Sequence, residues 1–237
     1  MKLVIFDIDG TLTNTNDIDD ACFVKALEES HGITEISTDW AEYPHTTDSG
    51  ITQFIFQERF RRNPVEKELS KFKSRFVDLL NVEYRANALN FTEIAGASVA
   101  LERLKQDATW AVAIATGSWR GSALLKLKAA GVEVDGMAAA YADDGLSREE
   151  ILQVAARKAL EQYRQSEFEK IVSVGDGVWD VRVAGRLGFA FLGIGDGDAA
   201  AKLRQAGAKH IIKDFTDYEL FAKGLEEADV PVAERFQ

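Results

Sequence analysis

The stretch Lys2-Leu3-Val4-Ile5-Phe6-Asp7-Ile8-Asp9-Gly10-Thr11-Leu12 reads as a buried strand that runs straight into a cluster of polar groups. Lys2 to Ile8 is nearly continuous in apolar and β-branched residues, and Asp-Gly stops it. A run of this length without alternation fits a parallel strand covered on both faces. Five more such runs follow: Ala111–Ala115, Met137–Ala142, Ile171–Val174, Phe189–Ile194 and His210–Ile212. Helical patterns lie between them, at about residues 97–107, 119–130, 147–163, 178–187, 198–207 and 217–228. That rhythm predicts an α/β fold, a doubly wound Rossmann-like parallel sheet.

The stretch between the first two strands breaks the rhythm. Residues 14–90 show no convincing strand, only helical segments at roughly 18–31, from Ser49 to Arg62, and from near Pro64 past Leu80. In the last of these Val65, Leu69, Phe72, Phe76 and Leu79 form an apolar stripe. A crossover does not need so many residues. The expectation is an inserted all-helical cap domain over 14–90, with residues 1–13 and 91–237 as the core, and Asn14, Thr15 and Asn16 as the hinge.

Composition removes several function classes. The 237 residues carry 28 Lys plus Arg against 39 Asp plus Glu, a net charge of −11. A nucleic-acid surface normally presents a basic stripe, so no nucleic-acid partner is expected. Cys22 is the only cysteine, which excludes an intrachain disulfide and a thiolate zinc cluster. No apolar run is long enough for a spanning helix, and the first apolar residues are too few for a secretory signal, so a cytoplasmic location without membrane contact is expected.

In an open parallel sheet ligands bind at the carboxyl ends of the strands, where the strand order reverses. Three strand ends here deliver Asp7-Ile8-Asp9-Gly10-Thr11-Leu12, Thr116-Gly117-Ser118 and Gly175-Asp176-Gly177-Val178-Trp179-Asp180. Each alone is ordinary turn or cap chemistry. Together they gather four carboxylates, and crowded like charges require something positive among them. Oxygen donors without His or Cys point to a hard cation, with Mg²⁺ the candidate. Gly195-Asp196-Gly197 also follows a strand but lacks a second carboxylate four residues on; it reads as a turn.

The three segments, in this order and with a helical insertion after the first, resemble the first, second and fourth motifs of the haloacid dehalogenase superfamily. Phosphoglycolate-phosphatase-like members with helical caps are the nearest comparison. The resemblance implies a Mg²⁺-dependent phosphatase acting on a small phosphorylated metabolite. Asp7 would be the nucleophile that forms an aspartyl-phosphate, and Asp9 the general acid and base. Asp7, Asp9 through its main-chain carbonyl, Asp176 and Asp180 would hold the metal, and Thr116 and Gly117 the phosphoryl oxygens.

The family's third motif usually carries a lysine followed by proline. Here the matching segment is Leu146-Ser147-Arg148-Glu149-Glu150-Ile151. Ser147 and Glu150 make a capping box, which sets Arg148 in the first helical turn as the phosphate-binding cation. Lys126 and Lys128, both mid-helix, read as solvated. In the cap, Tyr43 to Gly50 joins two helices, and His45, Thr47, Asp48 and Ser49 are candidate substrate contacts. Trp119 and Trp179 flank motif residues and are read as packing; His31 and His210 are read as structural. The competing readings are a phosphomutase, a phosphonate-cleaving enzyme using Lys25, the one lysine of the first cap helix, and a catalytically silent Mg²⁺-binding domain. A dehalogenase would not need Asp9.

Overall fold

The computed structural model of the chain describes residues 1–232. Its strands are β1 (Lys2–Phe6), β2 (Thr13–Asn14), β3 (Thr92–Glu93), β4 (Trp110–Ala115), β5 (Ala138–Ala140), β6 (Ile171–Gly175), β7 (Ala190–Ile194) and β8 (His210–Ile212). Six of them form one parallel sheet in the order β5-β4-β1-β6-β7-β8. The helices are α1 (Asn16–His31), α2 (Asp48–Phe60), α3 (Glu66–Ala86), α4 (Ala97–Gln106), α5 (Arg120–Ala129), α6 (Arg148–Tyr163), α7 (Val178–Leu187), α8 (Gly197–Gln205) and α9 (Tyr218–Glu227). The doubly wound Rossmann-like sheet expected from the sequence is present.

Strand β1 is the centre of this arrangement. Phe6 lies level with Ile114 of β4 on one side and Val174 of β6 on the other. The chain winds outward through β4 and β5, then returns to β1 and winds the other way, so the order reverses at β1. The three motif-bearing strands therefore end side by side at one edge. Side chains of β1 alternate between faces. Leu3 and Ile5 join Ile151, Leu152, Ala155 and Ala159 of α6, while Val4 and Phe6 join Leu101, Leu104, Leu127, Phe221 and Leu225. With both faces covered, every residue of β4 is buried, which is why its sequence shows no polar alternation.

Helices α1, α2 and α3 fill the interval between β2 and β3. The apolar face of α3 buries Phe72, Phe76, Leu79 and Leu80. Phe23 of α1 meets Phe72 and Phe76 at ring-centroid distances of 5.0 and 5.7 Å, and Phe72 meets Trp119 at 5.2 Å. Trp119, at the end of the second motif, is thus the core's contribution to an aromatic cluster shared with these helices. Edge-on geometry of this kind adds to the burial of each ring.

The structure corrects three details. The first strand ends at Phe6 and not Ile8, because Ile8 turns back, its carbonyl accepting from the amides of Thr11, Leu12 and Thr13. The start and end of the helical insertion are tied by a two-stranded antiparallel ribbon, Thr13 opposite Glu93 and Asn14 opposite Thr92; two-residue strands are too short to carry a periodic signal. Val65 caps α3 and is 56% exposed, so the buried stripe starts later. Phe72→Ala should cost about 3–5 kcal/mol, the range for emptying a buried aromatic site, and urea denaturation measures it directly.

Candidate active site

The carboxyl edge of β1, β4 and β6 opens into a cavity of about 540 Å³, lined among others by Asp7, Asp9, Gly117, Ser118, Arg148 and Asp176. At one end Asp7, Asp176 and Asp180 each offer an oxygen, all within 4.8 Å of one another. Arg148 stands among them. Its Nη1 donates to Asp180 Oδ1 at 2.8 Å and to Asp7 Oδ2 at 3.2 Å. Its Nε donates to the Thr46 carbonyl at 3.0 Å, and its guanidinium lies 5.5 Å from the Trp179 ring centroid. Ser147 does cap α6, its Oγ accepting from the Glu150 amide at 3.2 Å while Glu150 accepts from the Ser147 amide. That cap aims the first-turn arginine at the strand edge.

The electrostatics show an excess of buried negative charge. Burial pushes the carboxyl of Asp180 up to about 7, with the nearby Asp7 adding to the push and Arg148 opposing it. Burial, then the charges of Asp180 and Asp7, hold Asp176 well above its ordinary value. Asp176 is oriented by Thr11 Oγ1 at 3.4 Å and Asn16 Nδ2 at 3.2 Å, and Asp180 by the Gly177 amide at 3.0 Å. Asp7 Oδ1 is buried with no hydrogen-bond partner among the described residues. One guanidinium facing three carboxylates leaves room for a divalent cation, and an all-oxygen donor set suits a hard one. Gly10 has φ +72°, and a Cβ there would collide with the Asp176 carboxylate. The residues present fit a divalent ion.

Asp9 points elsewhere. Its Oδ1 accepts from Thr15 at 2.6 Å, and its Oδ2 from Ser118 Oγ at 2.9 Å and Lys126 Nζ at 2.6 Å. Burial alone would raise its pKa, but the charge and hydrogen bonds of Lys126, with those of Thr15 and Ser118, hold it below its ordinary value. The Asp9 carboxylate is therefore outside the Asp7–Asp176–Asp180 group, which leaves only its main-chain carbonyl for a metal. Lys126 is fully buried, which overturns its reading as a solvated lysine; Lys128 is exposed as expected.

Gly117 and Ser118 line the cavity. Thr116 is buried behind them, its Oγ1 accepting from the Ser118 amide at 3.2 Å. The 45–49 loop serves chiefly as a dock. Thr47 Oγ1 donates to the Leu146 carbonyl at 2.7 Å and caps α2, and the Asp48 amide donates to the Gly117 carbonyl at 2.8 Å. Asp48 Oδ2 accepts from the Trp119 amide at 2.7 Å. Ser49 Oγ donates to the Ala142 carbonyl at 2.6 Å and accepts from Trp119 Nε1 at 2.8 Å, so its hydroxyl is engaged within the protein. His45 is exposed and borders a neighbouring depression. Thr47 and Asp48 do face the main cavity.

Sequence reading missed Asn16, Asp19, Asp20 and Trp40, all of which line this cavity. Asn16 had the signal of adjacency to the first motif but reads as a hinge. Asp19 and Asp20 look like ordinary acidic residues near a helix start. Trp179 does wall the cavity, contrary to its reading as packing, whereas Trp119 packs as expected.

The parallel sheet thus brings three clustered carboxylates and a buried arginine to its strand-order reversal, where the ligands of open α/β sheets bind. Residues 1–188 match the haloacid dehalogenase-like hydrolase family, and the chain belongs to it. No curated protein sequence matches the chain. Among solved structures it is similar to a hydrolase from Pseudomonas syringae, at 20% identity and TM-score 0.67 over 94% of this chain and 98% of that one. It is also similar to a putative beta-phosphoglucomutase from Bacteroides vulgatus (16% identity, TM-score 0.62, covering 96% and 91%). A third likeness is to a predicted phosphoglycolate phosphatase from Haemophilus somnus 129pt (19% identity, TM-score 0.57, covering 94% and 98%).

Two outcomes test the cation site. Mg²⁺ at 100 times its Kd should raise unfolding stability by about 2.7 kcal/mol, seen as an upward shift of the thermal melt. Gly10→Ala and Asp176→Ala should each abolish that shift, the first by collision with Asp176 and the second by loss of one of the three clustered carboxylates.

Proposed function

We propose that the protein is a Mg²⁺-dependent phosphatase for a small phosphorylated metabolite, with residues 14–90 serving as its cap. The observation that carries this is the convergence of Asp7, Asp176 and Asp180 with Arg148 at one end of the cavity. A bound Mg²⁺ would supply the charge that lets an anionic phosphoryl group approach a carboxylate nucleophile. Asp7 would attack phosphorus and hold the phosphoryl group as an aspartyl-phosphate while the ester oxygen leaves. Arg148 and the Gly117 amide would bond the phosphoryl oxygens, with Thr116 behind them. Asp9 would carry the proton: in its acid form it would give one to the departing oxygen, and as the carboxylate that Lys126 holds it would then take one from the water that attacks the phosphoenzyme and frees Asp7.

The charge of the cavity favours one kind of leaving group. Beyond the phosphate end it is lined by Asp19, Asp20, Asp39 and Asp48 with the rings of Phe23 and Trp40. Arg148 and Lys202 are the basic side chains that line it among the described residues, and Arg148 is held at the phosphate end. A leaving group carrying a second phosphate would meet mostly carboxylates, with Lys202 as the other lining cation among the described residues. A hydroxylated or amine-bearing one would find acceptors, and aromatic faces suited to an ammonium. This weighs against a mutase that must hold a bisphosphate. Lys25 is exposed and lies outside the cavity, so the phosphonate-cleaving reading lacks its amine.

A metabolite panel assayed for phosphate release with and without Mg²⁺ tests the reading. Turnover should require the metal and should favour monophosphates with amino or hydroxyl leaving groups over bisphosphates; a bisphosphate preference, or sugar-dependent phosphoryl transfer, would move the assignment to a mutase. Asp7→Asn should lower kcat by at least about 10³-fold while the circular dichroism spectrum stays that of the parent.

A further inference from the structure

Lys126 sits in the middle of α5, fully buried. An ammonium there survives only if paired and hydrogen-bonded, because desolvation otherwise drives it to the neutral amine. Its three N–H donors meet three acceptors: Asp19 Oδ1 at 2.5 Å, Asp9 Oδ2 at 2.6 Å and Ser118 Oγ at 2.9 Å. Burial is outweighed by the charges of Asp19, Asp9 and Asp48, which hold the ammonium above its ordinary pKa. Such a lysine is a fixed cation with no proton to spare. Asp9 and Ser118 belong to the strand-end motifs, whereas Asp19 belongs to α1.

We infer that Lys126 is the positioning residue of Asp9: anchored on Asp19 of α1, its ammonium holds the Asp9 carboxylate in its working pose and makes that pose depend on the seating of α1. The inference rests on the reading of Asp9 as the proton carrier. Asp9 is clamped from both oxygens, by Thr15 on Oδ1 and by Ser118 and Lys126 on Oδ2. Thr15 immediately precedes α1, so two of these three holds change if α1 shifts. A carboxylate that must reach a leaving oxygen tolerates little displacement.

The test compares kcat/KM for 4-nitrophenyl phosphate, whose leaving group departs without a proton, and for phenyl phosphate, whose more basic oxygen needs one. In Lys126→Met the value for phenyl phosphate should fall by about 100-fold or more, and that for 4-nitrophenyl phosphate by no more than about a few-fold. Asp19→Ala, which keeps the Lys126–Asp9 contact but removes the anchor, should move the ratio the same way by a smaller factor. Lys126→Gln, which keeps an N–H donor, should fall between Lys126→Met and the parent.

Equal losses on both substrates in these variants, or none, would overturn the inference, since a lysine that only supports folding affects both esters alike. If Lys126→Met does not fold, the ratios in Asp19→Ala and Lys126→Gln decide. A parent protein that hydrolyses neither ester and takes no phosphoryl group on Asp7 would instead remove the phosphatase reading itself.

Discussion

Burying several carboxylates at one sheet edge is the constraint around which this structure is arranged, and two buried cations offset part of it. Arg148 serves Asp7 and Asp180. Lys126 serves Asp9 and Asp19. Each cation is insufficient for its set: burial still pushes Asp180 and Asp48 up to about 7 and holds Asp19 well above its ordinary value. The deficit around Asp7 matches a divalent ion. The two cations also sort two aspartates of a single motif into different surroundings, which is how chemically identical side chains acquire different roles.

The contacts that pack the helical insertion against the core also border the cavity. Trp119 joins the aromatic rings of α1 and α3, while its amide and indole nitrogen fasten Asp48 and Ser49. Arg148 spans from the carboxylates to the Thr46 carbonyl. Movement of the insertion therefore cannot be separated from rearrangement of the hydrogen bonds beside the clustered carboxylates.

How far the chain could be read in advance follows from the range of each interaction. Continuous apolar runs marked the six sheet strands to within two residues, because a strand covered on both faces has no polar alternation to confuse it. Asp-Gly and Gly-Asp-Gly marked the strand ends, and Ser147 with Glu150 marked the start of α6, since a capping box is local chemistry. The ribbon of Thr13–Asn14 with Thr92–Glu93 was invisible, because its two halves lie far apart in sequence and each is two residues long. Ser49 looked like a ligand contact and is spent on Ala142 and Trp119; a hydroxyl in a loop carries no mark of what it faces.

Sequence by itself thus determined the parallel sheet, the helical insertion, the family and the acidic residues at the strand ends, all of which depend on periodicity or on neighbours a few positions apart. Tertiary structure alone decided which cation each carboxylate meets. Lys126 and Asp9 are 117 positions apart and Arg148 and Asp7 are 141 apart, and a mid-helix lysine is written the same way whether it faces water or two aspartates. Charge pairing in a low-dielectric interior acts over a few ångströms of space and leaves no trace in spacing along the chain.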